Sequence, residues 1–469
     1  MTSSRGWAAR ALEGAAPRVF WSDREDAPDS APALRGDLTA DLTIVGAGFS
    51  GLWTAVQALE DEPGLDVVVI EAERCGFGAS SRNGGYCDSN LTHGLHNGIA
   101  HWPDETETLI RMGRENLDGI EAAIERYGIR ADFRRSAEID VATERWHLRE
   151  IAEGAEAHRA VGNDVELLDQ DQMRSRVGSP TYLGGLIRRN DFALVDPARL
   201  AWGLRAAAES LGAAIFENSP VTKIDTDGSG LVVRTGECTV RSERAVMATN
   251  AYPGPIRRPR RYVVPVYDHV LMTEPLSAEQ MESIGWAERE AVEDASNQFH
   301  YYRVSEDDRI LYGGWDATYH FNNGLRPEFD QKADTHQMLA EDFFETFPQL
   351  EGLRFTHSWG GPIGTTTRFT VTWGASHGGR LVWVAGYTGL GVGASRFGAR
   401  VALDLVHGHT TERTQLQMVR KNPFPFPPEP LRSAGIHLTR SAIQRADRNE
   451  GKRGAWLRLL DRFGIGFDS

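Results

Sequence analysis

Residues Asp41 to Gly51 read DLTIVGAGFSG, and Glu71 stands twenty residues beyond the last of these glycines, closing the apolar run VVVI. The chemistry this spacing serves is the holding of a dinucleotide. Gly46 permits a tight turn, Gly48 lets the backbone approach a pyrophosphate, and Gly51 lets the following helix pack closely on the sheet. The exposed N–H groups at that helix start then face the anion. Glu71 is placed to accept hydrogen bonds from both hydroxyls of the adenosine ribose, which argues against a 2′-phosphate there. A lone GxGxxG is weak evidence in a chain with 49 glycines. Here a strand precedes it, the helical LWTAVQALE follows, and the acidic residue falls at the required distance.

A second stretch, Arg380 to Leu405, again runs from a buried strand, LVWVA, through the glycine-rich turn GYTGLGVG into a helix. A turn so rich in glycine points to a ligand lying on the backbone.

The elements that must position these turns are legible as periodicities. Leu109, Met112, Leu117, Ile120, Ile124 and Tyr127 mark an amphipathic helix between Asp104 and Tyr127, and Trp146 to Val161 reads as another. Asp196 as N-cap, Pro197 at the first position and Gly212 as the stop frame a third, around Leu200 to Leu211. AAIFE, VTKIDTDG, LVVRT, CTVRS and RAVMATNAY then read as short strands, suggesting a small antiparallel sheet inserted before the chain returns to the parallel one. Stretches 262–275, 298–316 and 353–372 are β-rich, with helices expected at 277–285 and 332–347, and no internal repeat is visible.

Composition narrows the class. The 469 residues suffice for two cores, and 41% hydrophobic with 25% charged residues is ordinary for a globular chain. Apolar runs are far shorter than the roughly 20 residues of a spanning helix. MTSSRGWAAR carries no export signal, so a cytoplasmic location is expected. Cys75, Cys87 and Cys238 are sparse and lack metal spacing, so free thiols and no metal site are expected. A net charge of -15 disfavours a nucleic-acid partner, and Arg257, Arg258, Arg260 and Arg261 read as a solvated loop.

With GAGFSG, EAERCGFGASSRNGG from Glu71 to Gly85, VMATNAY from Val246 to Tyr252, WGG at 359–361 and AGYTGLGVG from Ala385 to Gly393, the chain resembles the D-amino-acid-oxidase-like FAD-dependent oxidoreductases, most closely the gamma-glutamylputrescine oxidase branch. The resemblance implies an α/β plus α+β fold: a discontinuous Rossmann-like FAD-binding domain and a substrate domain built on an antiparallel β-sheet. The expected division is a leader over 1–38 extended on the surface, the FAD domain over 39–100, 165–255 and 356–420, the substrate domain over 101–164 and 256–355, and a C-terminal extension over 421–469.

By the same resemblance, Gly46, Ala47, Gly48, Phe49, Ser50 and Gly51 would hold the pyrophosphate, and Glu71 with Ala72 the adenosine ribose. Ala79, Ser80, Arg82, Asn83, Gly84 and Gly85 would run toward the isoalloxazine, and Val221 would meet the adenine. Thr249 and Asn250 would lie near the cofactor, with Gly386, Thr388, Gly389, Leu390, Gly391 and Val392 over the pyrimidine end. Arg82 stands where flavinylated relatives carry a histidine, and no cysteine follows Cys238, so FAD is expected to be noncovalent. The chain also has no lysine between Lys223 and Lys332, where oxygen-activating relatives place one.

The implied activity is oxidation of a C–N bond of a small amine or amino acid, with hydride passing to flavin N5 and the resulting imine hydrolysing. Oxygen is the expected acceptor, giving hydrogen peroxide. A dehydrogenase using another acceptor, a flavoprotein acting on tRNA-bound aminomethyl groups and a module retaining FAD as a structural element are the alternatives. Aromatic walls would desolvate the amine and attract its cation. From the β-rich second domain the expected catalytic residues are His269, Tyr302, Trp359 and Asp316; Tyr86, Cys87 and Asp88 follow the flavin-side loop, and Arg303 or Arg396 would suit a substrate carboxylate.

Overall fold

The computed structural model describes residues 4–228 and 230–465. Two sheets organise it. In the first, five parallel strands run in the order Leu381–Ala385, Cys238–Met247, Leu38–Val45, Val67–Ile70 and Ala214–Phe216, with Thr372–Ser376 antiparallel at one edge. Val67–Ile70 is buried along its whole length, as a parallel strand covered on both faces must be. Helices Phe49–Asp61, Pro197–Ser210 and Gly391–His407 supply buried faces to the large core beside this sheet. The Asp196 carboxylate accepts the Arg199 N–H at 3.0 Å, so the expected cap forms.

The antiparallel strands are not a separate inserted sheet. CTVRS and RAVM form one strand, Cys238–Met247, paired along one edge with Leu38–Val45. Its other edge takes Gly230–Thr235 on the first half and Leu381–Ala385 on the second, so a single strand belongs to both the meander and the parallel array.

The second sheet has ten strands. Its path runs Thr318–Tyr319, Val264–Thr273, Ile310–Gly314, His300–Val304, Ala291–Asp294, Arg134–Ala142, Gly184–Leu194 and Tyr86–Asp88, and all pairs but Ala291–Asp294 with Arg134–Ala142 are antiparallel. Val165–Leu168, Gly184–Leu194 and Phe355–Thr365, allotted by sequence to the nucleotide-binding part, pair here. Helix Ala333–Thr346 packs on one face through Leu339, Phe343 and Phe344, in a core shared with Trp286, Tyr302 and Phe347.

The N-terminal stretch departs from an extended surface leader. Ser4–Ala11 is helical, and Ala8 and Ala11 join that second core. Trp21 is buried and its indole donates to Asn83 O at 2.9 Å. Apolar burial outweighs the extended preference of the flanking prolines.

Candidate active site

One cavity of about 1380 Å³ lies between the two sheets. This exceeds the roughly 300–1,000 Å³ of ordinary ligand pockets and leaves room for a dinucleotide with a second molecule. Both glycine-rich turns border it: Gly46, Gly48, Phe49 and Ser50 at the start of helix Phe49–Asp61, and Gly389 through Val392 at the start of helix Gly391–His407. Two helix N-termini therefore present partial positive charge to one space. They are tied together: Ser50 Oγ donates to Tyr387 Oη at 2.7 Å, and the Asn250 side-chain oxygen accepts the Gly386 N–H at 2.8 Å.

Glu71, Ala72, Ala79, Ser80, Arg82, Asn83, Gly84, Val221, Thr249, Asn250 and Thr388 also line the cavity. Glu71 accepts the N–H groups of Ala47 at 2.7 Å and Glu73 at 3.0 Å. Burial raises its carboxyl above the ordinary range, and those amides act against the rise. Asn83 ties its own loop, donating to Ala79 O and Ser80 O and accepting from Gly85 N–H. Arg82 is committed to Asp330 at 2.6 Å and to Gly360 O at 3.0 Å.

Ala47, Gly51, Gly85 and Gly386 stand behind the wall. Gly51 is a packing residue, since a Cβ there would lie 1.8 Å from Gly46 O. Gly46 itself has φ +102, a conformation favouring glycine. The residues present fit FAD: Gly46 and Gly48 bring backbone without side chains to the cavity, where the Phe49 N–H donates to Ser80 Oγ at 2.9 Å, the Glu71 carboxylate lines it, and the buried Ser395 Oγ on its wall has no partner among the described residues.

The four expected catalytic side chains do not reach this space. His269 Nε2 lies 3.1 Å from Phe329 O, its ring meets His336 on the helix side of the sheet, and burial lowers it to about 4, so it is neutral at physiological pH. Tyr302 is 2% exposed, with its hydroxyl 2.7 Å from that of Tyr182 inside the second core. Trp359 donates to Arg82 O at 2.9 Å, a strut for the loop that borders the cavity. Asp316 is buried among Lys332, Arg440 and Thr335; burial pushes its carboxyl upward, but these partners outweigh it and hold it below the ordinary value.

Trp359 has the parity of Gly361, which does line the cavity, but is buried in a cluster with Val270, Met272 and Leu311, and Asp316 follows the end of strand Ile310–Gly314. For His269 and Tyr302 the reason is strand parity: their neighbours Asp268 and Tyr301 line the cavity instead. A one-residue shift along a strand exchanges its faces. Tyr86 and Asp88 line the cavity, whereas Cys87 between them is buried on the opposite face, its thiol pushed up to about 12 by burial. Arg303 is turned away, donating to Val195 O at 2.7 Å, and Arg396 is absent from the wall and lies over the Trp53 ring.

The C-terminal extension closes one side of the cavity through Ile436, Ile443, Trp456, Leu457 and Leu460. The apolar spacing in AWLRLL could have suggested a helix with a buried face, but not what it covers. Further along, Glu138, Asp140, Glu293 and Asp294 join the wall beside Arg188, which contacts Glu138 at 2.6 Å and Asp140 at 3.1 Å.

Paired glycine turns at two helix starts, with a β-walled chamber alongside, define a dinucleotide-dependent oxidoreductase. Residues 41–405 match the family model described as FAD dependent oxidoreductase (DAO), and the chain belongs to that family, with FAD as its cofactor. It is 30% identical over 400 residues to a probable oxidoreductase OrdL of Haemophilus influenzae, covering 83% of this chain and 88% of that protein. It is likewise 30% identical to the gamma-glutamylputrescine oxidoreductase of Escherichia coli, with coverage of 84% and 89%. Glycine oxidase from Geobacillus kaustophilus shares the fold at a TM-score of 0.68 and 21% identity, covering 80% of this chain and 96% of that one. Among the described residues no helix is long and apolar enough to cross a membrane.

Proposed function

We propose that this protein oxidises the C–N bond of a small amine. The observation that carries this reading is the continuity of one cavity from both glycine-rich turns to a wall of aromatic and acidic side chains. Once the bound ammonium has given a proton to a wall carboxylate or water, bound FAD would accept a hydride from the carbon next to the neutral nitrogen, leaving an iminium ion that water converts to a carbonyl compound and an ammonium ion. The protein's part is to bind the amine, exclude water and keep its carbon oriented. Tyr86, Tyr301, Phe299 and Trp315 offer rings around that space.

The wall favours an amine over an amino acid. Arg82 pairs with Asp330, Arg188 with Glu138 and Asp140, Arg440 with Asp316, and Arg453 with Asp461, so these guanidinium groups are already engaged; the fifth lining arginine, Arg432, donates to Pro427 O and Asn323 Oδ1. The gamma-glutamylputrescine oxidoreductase relative supports the same preference. The FAD would be held noncovalently by the cavity-lining residues Gly46, Gly48, Phe49, Ser50, Glu71, Ala72, Ala79, Ser80, Arg82, Asn83, Gly84, Thr249, Asn250 and Thr388 to Val392, with Val221 beside the adenine.

Anaerobic mixing of the holoenzyme with a panel of alkylamines, diamines and amino acids tests the proposal. Bleaching of the flavin's visible band by amines supports it; a panel that leaves the band intact refutes it. Oxygen is the acceptor in our primary reading. No lysine stands among the described cavity-lining residues, which favours a second reading in which another acceptor takes the electrons. Peroxide release in air, against turnover only with an artificial dye, decides between them.

A further inference from the structure

We propose that Asp268, held by Tyr301, is the anion that receives the substrate's cationic nitrogen, with Asp268 contacting substrate and Tyr301 acting as a positioning residue. This rests on the amine reading above and assigns its recognition group. Asp268 lies on strand Val264–Thr273 and Tyr301 on strand His300–Val304, and both line the cavity. Tyr301 Oη donates to Asp268 Oδ2 at 2.7 Å, and the His269 N–H donates to Oδ1 at 2.8 Å. Each carboxylate oxygen thus has one protein donor and retains capacity for another.

The surroundings keep the pair open to the cavity. The strand partner of Asp268 is Gly361, and Tyr301 stands between Gly313 on one side and Glu293, which also lines the cavity, on the other, so the glycines leave bare backbone beside the pair. A Cβ on Gly313 would come within 2.8 Å of the Tyr301 ring, and one on Gly84 within 2.9 Å. The phenol therefore lies across bare backbone from two segments, one of them the loop at the nucleotide end of the cavity. Tyr86 meets it edge-on at 5.6 Å between centroids. Burial lifts the Tyr301 hydroxyl far above its ordinary range, so it stays protonated and can only donate to the carboxylate.

Burial also pushes Asp268 up to about 6, with the Tyr301 and His269 donors opposing, so the carboxyl remains ionised in neutral buffer. A half-buried carboxylate beside aromatic faces is a receptor for an ammonium ion, because both the charge and the ring quadrupoles favour the cation. No guanidinium or ammonium group bonds to Asp268 among the described residues, leaving that place for the ligand.

The test uses holoenzyme and two probes of one shape, n-butylammonium and neutral n-butanol, titrated anaerobically and read by perturbation or bleaching of the flavin spectrum. Wild type should bind the cation at least about tenfold more tightly than the alcohol, the scale of one charge-assisted hydrogen bond. Asp268→Asn should remove that preference with FAD content unchanged, Asp268→Glu should restore part of it, and Tyr301→Phe should weaken amine binding several-fold, raising KM more than it lowers kcat. An Asp268→Asn protein that keeps the preference for the cation overturns the proposal, as does a wild type that has none. Should amines bleach wild type and Asp268→Asn with equal affinity, this assignment falls and the C–N oxidation reading survives; should no amine in the wider panel bleach wild type, the reading itself falls.

Discussion

Gly51→Ala is the sharpest perturbation of the nucleotide site, because the obstacle is backbone. The added Cβ would lie 1.8 Å from Gly46 O and 3.0 Å from Gly46 C. Reaching an ordinary contact of about 3.4 Å requires the first turn of helix Phe49–Asp61 to retreat by about 1.6 Å from the turn it follows. A shift of that size takes an amide from hydrogen-bonding distance to beyond it. Two amides lost from an anionic group, at about 1.5–3 kcal/mol each, weaken FAD binding by at least about 3 kcal/mol, more than a hundredfold. The assay is reconstitution of apoprotein with FAD, followed by flavin fluorescence, with circular dichroism confirming a folded protein. Gly64→Ala, where nothing lies within 4 Å of the new Cβ, controls for the substitution itself, though its φ of +97 carries local strain. A folded Gly51→Ala protein with wild-type affinity for FAD refutes the close packing of this helix as the determinant of the site.

Acid precipitation should release the flavin into the supernatant, since Cys75 and Cys87 are buried with thiols raised by burial and Arg82 occupies the loop position; a yellow pellet contradicts a noncovalent cofactor. Burial opposes protonation of His300, but hydrogen bonds to Asp294 at 2.7 Å and Asp342 at 3.1 Å prevail and raise it from 6.5 to about 10. A raised pKa stabilises the fold fully below 6.5 and loses that contribution as pH rises toward 10, so His300→Gln should lower Tm at pH 6 and make little difference above pH 10 in thermal scans. Glu217 is 1% exposed and accepts from Ser30 Oγ, Ala31 N–H and Cys75 N–H. Glu217→Gln should cost about 2 kcal/mol in urea unfolding by disrupting the charge-assisted set that pins the N-terminal stretch; an unchanged midpoint contradicts that role.

The two glycine-rich turns that border the cavity were legible because they are made by local chain geometry. GAGFSG with Glu71, and GYTGLGVG with its helix, carry their meaning within a few residues: a strand, a turn without side chains and a helix start. The helix after Asp196 was equally readable, because its cap, its proline and its terminating glycine are adjacent in the chain. Less legible was the double use of Cys238–Met247, since each half of one edge finds a different partner. Pairing partners distant in sequence leave no local mark.

The amino-acid order by itself determined the two glycine-rich turns at helix starts, the acidic Glu71 after the second strand and the alternation of strands and helices that builds the parallel array. Which side chains face the chamber was decided only in three dimensions. Strand Val264–Thr273 is covered on both sides, by the cavity wall and by helix Ala333–Thr346, so hydrophobic residues stand on both faces and alternation cannot tell Asp268 from His269. Tyr301 and Tyr302 differ in the same way: one phenol bonds a cavity carboxylate and the other a core tyrosine. The closing of the chamber by residues near 436–460 likewise depends on the packing of the last helices over a wall formed by strands far earlier in the chain.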